Sequence, residues 1–171
     1  MDLLEFDQTA LYYDEPLDET VLQLINEAGR GYGEDKAELL LYRAWFYEPE
    51  SLVVLVALYR YFFYQHRLHE ALLVAERAMA IVGRRLNFPE DWKQLSSVFL
   101  GQAVLRSMGL LRFYLNLLKA AAYINLRQGD MEEGRALLEK LLELDRHDRL
   151  GGKALLALLD AEDEEAAEAA A

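Results

Sequence analysis

Apolar residues recur along this chain at intervals of three and four, the spacing that places them on one face of an α-helix. One such face is formed by Leu68, Leu72, Ala75, Ala78, Met79 and Val82. Alternating runs of β-branched residues are absent, as are the Asn-Gly and Asp-Gly pairs that mark β-hairpins. The pattern therefore predicts an all-α protein.

Turn-forming residues divide this pattern into helices. The three prolines, at positions 16, 49 and 89, each precede acidic residues and a long periodic stretch, as at helix starts. We expect helices at 18–29, 34–47, 50–65, 68–85, 90–108, 110–128, 131–145 and 152–160. The 90–108 stretch is either one helix or a broken pair. Because the connections are short, neighbouring helices should form antiparallel hairpins.

The pattern also separates a helical domain from two flanking segments. Residues 1–17 form an acidic and aromatic N-terminal arm, and residues 18–160 form the helical domain. Residues 161–171 are an acidic tail rich in Ala and Glu. We expect this tail to fray, because nothing in it can bury a core.

Small and apolar residues recur in the helical domain after 34 positions. The two sets are Ala37, Leu41 and Ala44, and then Ala71, Ala75 and Ala78. This spacing resembles the tetratricopeptide repeat, a 34-residue helix–turn–helix with small residues where its two helices cross and often a closing proline, here Pro49. The resemblance implies contiguous repeats at 18–51 and 52–85. It also implies a short right-handed solenoid of stacked antiparallel hairpins, in which neighbours bury the face that one hairpin leaves open.

A third match to the same register covers 115–148. It carries Leu118, Ala121, Ala122, Gly134 and Leu138, with Gly129 at the turn. The pattern departs from the family at three positions. Tyr59 stands where a small residue is preferred, His66 replaces the turn glycine, and Arg146 stands where proline is common. Residues 86–114 do not fit the register, and we interpret them as an insertion containing a helix.

Charge is concentrated at the ends of the chain. The net charge is −12, and residues 1–36 carry ten acids and two bases, whereas residues 37–159 are close to neutral. An acidic protein is disfavoured as a partner of nucleic acids and anionic membranes.

The chain has no cysteine, which excludes a disulfide framework and cysteine-ligated metals and fits a reducing cytoplasm. Its beginning lacks a signal-peptide pattern, so we expect a soluble, cytoplasmic protein.

Residues that could carry chemistry do not form a known catalytic or metal-binding pattern. The glycines at 29, 31 and 33 lack the spacing of a nucleotide loop, and we expect them at a turn that needs positive φ. His66, His69 and Glu70 are close in sequence, but H-E-x-x-H is absent, and a turn is predicted at 65–68. We therefore expect no enzyme activity, no cofactor and no metal.

The resemblance also implies a ligand-binding groove lined by the first helix of each repeat. The positions that correspond to the ligand-facing ones are Gln23, Asn26 and Arg30 in the first repeat, Val56, Arg60, Phe63 and Tyr64 in the second, and Asn116, Lys119, Tyr123 and Arg127 in the third. This mixture suits an extended peptide or a helix with apolar and acidic groups. Leu22 and Gln23 replace the Lys-Asn pair of family members that grip terminal carboxylates, so that activity is not expected.

We therefore expect a non-enzymatic adaptor or assembly factor that binds another protein in this groove. Two alternatives stay open. One is a dedicated chaperone of the small bacterial type that masks an aggregation-prone client. The other is a self-associating module that dimerises through an exposed helix such as 110–118.

The N-terminal arm offers Leu3, Leu4, Phe6, Leu11, Tyr12 and Tyr13 on an acidic background. We expect it to pack against the repeats, in cis or from a neighbouring chain, with their groove as its matching surface.

Overall fold

The structure, a computed structural model, describes residues 16–33 and 35–169. Eight α-helices and one short 3₁₀ turn follow one another in this part of the chain, and none of it forms a strand. The elements are α1 (Glu19–Arg30), α2 (Asp35–Tyr47), α3 (Leu52–Tyr64), α4 (Leu68–Leu86), the 3₁₀ turn (Trp92–Gln94), α5 (Ser97–Arg106), α6 (Met108–Gln128), α7 (Met131–Leu144) and α8 (Gly152–Ala169). The all-α prediction is confirmed. Of the predicted arm, only Pro16 and Leu17 are among the described residues.

Short polar side chains begin several of these helices. The Asp18 carboxylate accepts the backbone N–H of Thr20 at 2.8 Å at the start of α1. The Asp130 carboxylate accepts the backbone N–H of Glu133 at 3.1 Å at the start of α7. Such caps satisfy N–H groups that have no partner within the helix. They explain why most helix starts can be read from the sequence.

Left-handed residues end α3, α4 and α6. Their φ angles are 58° at His66, 58° at Asn87 and 87° at Gly129. At each end the backbone N–H of the following residue returns to a carbonyl five positions earlier, as in Arg67 to Phe62 at 2.9 Å. This is the Schellman pattern of helix termination. His66 therefore adopts the conformation expected of the glycine that it replaces.

The glycines after α1 differ from the expectation that all three occupy a turn with positive φ. Gly29 lies inside α1, which ends at Arg30, and Gly31 caps the helix with φ of −95°. Only Gly33 has a positive φ, at 95°. The turn is therefore shorter than predicted, because the helix continues through Gly29.

The stretch 90–108, expected as one helix or a broken pair, contains the 3₁₀ turn followed by α5. After the 3₁₀ turn, α5 begins at Ser97 and α6 begins at Met108, two residues earlier than predicted. Ser107 separates them with extended backbone angles, φ −163° and ψ 107°, and its hydroxyl accepts the backbone N–H of Leu110 at 3.1 Å. A single serine thus ends one helix and caps the next. The expected insertion, 86–114, contains the 3₁₀ turn, α5 and the first turns of α6.

The last helix is longer than predicted. It runs to Ala169 rather than ending near residue 160, so residues 161–169 of the predicted tail are helical. Alanine and glutamate are strong helix formers, and this composition favours continuation of the helix. The end of the predicted helix at residue 160 was therefore wrong, and fraying of the tail stays a prediction.

The helices pack mainly against their neighbours in chain order. Helix α1 packs on α2, α2 on α3, and α3 on α4. Across the insertion α4 packs on α6, which packs on α7, and α8 covers α7. The small residues 34 positions apart are all buried, as are the corresponding third-repeat positions, Gly134, Leu138 and Leu141. One apolar core therefore runs along the described helices.

The segment 110–118 does not form the exposed helix expected for dimerisation. It is the first half of α6, and Leu111, Phe113, Tyr114, Leu117 and Leu118 are all buried. Helix α6 lies between α4 and α7, and α5 covers part of it. Because α4, α5 and α7 bury these five side chains, they are not available for contact with a second copy of the chain.

Candidate functional site

An aromatic contact joins two of the helices that were expected to line a groove. The rings of Phe63 on α3 and Tyr123 on α6 have centroids 6.1 Å apart. Phe63 also stacks on the buried Tyr59 at 5.7 Å and meets Tyr64 edge-on at 5.9 Å. Aromatic pairs at these separations stabilise one another beyond their buried area. Three of the predicted residues, Phe63, Tyr64 and Tyr123, therefore form one continuous surface.

Tyr32 extends this surface toward α1. It lies in the turn after α1, and its ring meets those of Tyr61 and Tyr64 edge-on at 6.0 and 6.5 Å. Partial burial raises the pKa of its hydroxyl, and a side-chain hydrogen bond with Gln65 offsets part of that rise. We call Tyr32, Tyr64, Phe63 and Tyr123 the aromatic strip. Sequence reasoning missed Tyr32, although an aromatic residue between Gly31 and Gly33 was a signal.

Arg127 places a cation at one end of the aromatic strip. Its Nη1 donates to the Tyr123 hydroxyl at 2.8 Å, and its guanidinium carbon lies 5.7 Å from the centre of that ring. Both contacts orient an otherwise exposed side chain. A guanidinium has five N–H donors, so this bond leaves donors for a carboxylate of a partner.

Lys119 and Asn116 are engaged within the protein. The Lys119 ammonium donates to the Leu150 carbonyl in the loop before α8. Burial lowers its pKa, and the nearby Asp148 opposes that change. The Asn116 amide donates to the Arg112 carbonyl one turn earlier at 3.0 Å. These two predicted groove residues thus stabilise α6 and its link to α8.

The other predicted groove residues vary in exposure. Val56 and Arg60 are half-buried on α3. Gln23, Asn26 and Arg30 are exposed on α1, outside the ring contacts that define the aromatic strip. The structure therefore brings Phe63, Tyr64, Tyr123 and Arg127 together.

The residues considered for a metal site have other roles. His66 forms the left-handed turn, and His69 is exposed on α4. The Glu70 carboxylate accepts from Arg67 at 2.8 Å, and Arg67 also bonds Glu38 of α2 at 2.8 Å. Among the described residues, no cluster of three or more His, Asp or Glu side chains could hold a metal ion. The Arg67 contacts instead link α2 to α4.

An opening of about 470 Å³ lies between α4, the insertion, α6 and α7. Glu76 and Glu133 line it together with Trp92 and Tyr114. Burial, followed by repulsion from Glu133, raises the pKa of Glu76, while Lys93 pairs with Glu133 at 3.2 Å. Burial also raises the pKa of the Tyr114 hydroxyl to about 12. The raised pKa of Glu76 makes its charge, and so the electrostatics of this opening, sensitive to pH.

A second surface that sequence reasoning missed lies on α2. Its exposed large side chains are Leu39, Tyr42, Trp45, Phe46 and Tyr47. Phe46 is 84% exposed, which is unusual for a phenylalanine. The described helices include none that is both long and apolar enough to cross a membrane.

Comparison with known proteins identifies a relative. The chain is 44% identical over 159 residues to an uncharacterized 19.8 kDa protein in the nifW 5′ region of Azotobacter chroococcum mcd 1. The match covers 93% of this chain and 89% of that protein. No family model matches the sequence, and no solved structure matches it.

Proposed function

This chain belongs to the same family as the 19.8 kDa Azotobacter protein, and we propose that it is a non-enzymatic adaptor or assembly factor that binds a partner protein. The contact between Phe63 and Tyr123, at 6.1 Å, carries the proposal. These residues are far apart in sequence and come from the first helices of two hairpins. Together with Tyr64 they form a surface large enough to seat apolar side chains of a peptide or helix.

We further propose that the helices stack as a short tetratricopeptide-like solenoid. The chain-order packing of α1 on α2, α3 on α4 and α6 on α7 supports this arrangement. So does the burial of the small residues that are 34 positions apart. In such a stack α1, α3 and α6 line the concave side, which is where the aromatic strip would lie.

The chemistry of the strip defines the partner. Its rings favour leucine, phenylalanine or methionine side chains, and Arg127 favours a carboxylate at one end. We therefore expect a segment with apolar residues on one side and at least one acidic residue. The product of nifW is the first candidate, because the relative lies in the 5′ region of that gene.

Binding should depend on the strip and not on exposed apolar residues in general. We would immobilise the wild-type chain, Phe63→Ala/Tyr123→Ala and the control Val98→Ala/Leu105→Ala. The control removes apolar side chains that are 67% and 88% exposed on α5. Calorimetry would measure the affinity of each chain for the nifW product. Mass spectrometry of the proteins that each immobilised chain captures from the native cell would identify other partners. The strip variant should bind at least about tenfold more weakly.

A further variant separates lost binding from lost folding. Phe63 is half-buried, so its loss could weaken the fold, whereas Arg127 is exposed. Arg127→Glu should keep the wild-type helix content by circular dichroism and still weaken binding of an acidic segment. If Phe63→Ala/Tyr123→Ala and Arg127→Glu both bound the same partner with the affinity of the wild type, the proposal would fail. Capture only of an unfolded client would favour the chaperone alternative.

A further inference from the structure

Helix α2 is apolar on two opposite sides. Ala37, Leu41 and Ala44 face the core and are at most 4% exposed. On the opposite side Leu39 and Phe46 are 60% and 84% exposed. Exposed apolar side chains that cluster on one side of a helix mark a contact site. The outer side of α2 therefore has the composition of an interface.

A groove of about 360 Å³ continues this exposed side toward α4. Its lining includes Leu55, Leu58 and Phe62 of α3 below, with Trp45 of α2 and Leu73 and Arg77 of α4 along its edges. Trp45 is 39% and Leu73 is 52% exposed. We call this the outer groove. It lies between α2 and α4, the second helices of two hairpins, and contains none of the aromatic-strip residues.

The N-terminal segment joins the helical domain beside the outer groove. Pro16 lies against Glu48, Pro49 and Glu50, and the Asp18 backbone N–H donates to the Glu48 carboxylate at 3.0 Å. Glu48 directly follows α2, one helical turn after Trp45. Leu11 to Tyr13 precede Pro16 by three to five residues, a reach of about 10–18 Å when extended. That reach covers the Trp45 end of the groove.

Charge favours the same contact. Residues 1–15 contain five acids and no base. Lys36 and Arg43 are exposed on α2, and Arg77 lines the groove. Glu70 also lines it, but its carboxylate is paired with Arg67 at 2.8 Å. Among the described residues Arg77 has only a long contact, 3.6 Å, to Glu50. An acidic segment with apolar side chains matches an apolar groove whose surroundings carry these cations.

We propose that residues 1–15 lie in cis along the outer groove and the outer side of α2, with Leu11, Tyr12 and Tyr13 near Trp45. The carboxylates of this segment then face Arg43 and Arg77. This contact covers the exposed aromatic side of α2 and leaves the aromatic strip to a partner. It differs from docking of the arm in the concave groove and is independent of the proposed function.

Trp45 provides the measurement, because the chain has two tryptophans and Trp92→Phe leaves Trp45 as the only one. We would measure acrylamide quenching of Trp45 in full-length Trp92→Phe, with and without Leu11→Ala/Tyr12→Ala/Tyr13→Ala. Two covering tyrosines would shield much of the indole, so the quenching constant should rise at least about twofold in the arm variant. A synthetic peptide of residues 1–15 should reverse that rise.

A charge reversal tests the same contact from the other side. Arg43→Glu, in the Trp92→Phe chain, should also raise the quenching constant of Trp45, and high salt should reduce the difference between Arg43→Glu and its parent. Leu158→Ala, which shortens a 63% exposed side chain on α8, is the control and should leave quenching unchanged. Circular dichroism checks that each variant is folded.

Two results would overturn the proposal. One is unchanged quenching of Trp45 in both the arm variant and Arg43→Glu. The other is protection of Trp45 that rises with protein concentration, together with a dimer in sedimentation experiments. That second result would assign the outer groove to a second copy of the chain.

Discussion

Gly134 of α7 lies directly against Leu126 of α6. A Cβ atom added at Gly134 would be 2.4 Å from Leu126 Cδ2, 2.6 Å from its Cγ and 3.2 Å from its backbone nitrogen. We expect Gly134→Ala to lower the free energy of unfolding by about 1–2 kcal/mol. Overpacking costs about 1–3 kcal/mol, and the higher helix propensity of alanine recovers up to about 1 kcal/mol. Chemical denaturation would measure the difference.

Gly29→Ala is the matched control for this substitution. Gly29 also lies within a helix, α1, but an added Cβ would meet nothing within 4 Å. Alanine should therefore stabilise the protein by about 0.5–1 kcal/mol at this position. Equal effects of the two substitutions would contradict a tight crossing of α6 and α7.

His66→Gly should raise stability. His66 has a φ of 58° in the turn after α3, and this region costs a residue with a Cβ about 1–2 kcal/mol. Glycine removes that cost but increases the entropy of the unfolded chain by about 0.4–1 kcal/mol. We therefore expect a net gain of about 0.5–1 kcal/mol by thermal or urea unfolding.

The control for His66→Gly is His69→Gly. His69 is exposed within α4, where glycine should cost about 0.5–1 kcal/mol. If the two substitutions changed stability in the same direction, the left-handed turn would not be the source of strain.

Most of the helix boundaries could be predicted because their signals are local. Proline, a capping aspartate and a turn glycine mark the ends of α1, α6 and α7, and those predicted ends agree to within two residues. The break at Ser107 lies within two residues of the predicted boundary after 108, but the start of α5 at Ser97 was not predicted, because Pro89 followed by Glu90 and Asp91 has the pattern of a helix start. The continuation of α8 into the tail rich in Ala and Glu was not predicted, because helix propensity there acts without apolar periodicity.

The candidate surfaces were predicted less completely, for a different reason. A fixed repeat spacing places Phe63 and Tyr123 on first helices, so sequence alone could suggest that they share a surface. The bond of Lys119 to Leu150 depends on where the loop before α8 folds, and periodicity does not encode that. The outer side of α2 could not be identified either, since "LLLYRAWFY" is apolar in several directions.

Glu76→Gln should stabilise the protein at neutral pH. Burial and Glu133 raise the pKa of Glu76 above its ordinary value of 4.5. As the pH rises, the unfolded chain therefore loses this proton at a lower pH than the folded chain does. Stability therefore falls as the pH rises from the ordinary pKa through the folded pKa. Glutamine cannot ionise, so Glu76→Gln should have a higher free energy of unfolding than the wild type at pH 7. This difference should vanish well below pH 4.5.

Urea unfolding of the wild type and Glu76→Gln across this pH range would show the dependence. Glu139→Gln, on the exposed side of α7, controls for the loss of one negative charge from an acidic protein. An advantage of Glu76→Gln that matched that of Glu139→Gln at every pH would indicate a general charge effect rather than the opening beside Glu133.

Lys119→Ala should loosen α8 before the rest of the protein unfolds. The Lys119 ammonium bonds the Leu150 carbonyl, and α8 packs chiefly on α7. Loss of this donor should cost about 1–3 kcal/mol in the loop and α8, because a half-buried carbonyl loses its partner. Hydrogen exchange should therefore accelerate in residues 146–160 but not in α3 or α4.

Lys153→Ala is the control, because the backbone N–H of residue 153 keeps its 3.1 Å bond to the Asp148 carboxylate. Equal acceleration in both variants would mean that Lys119 does not anchor α8.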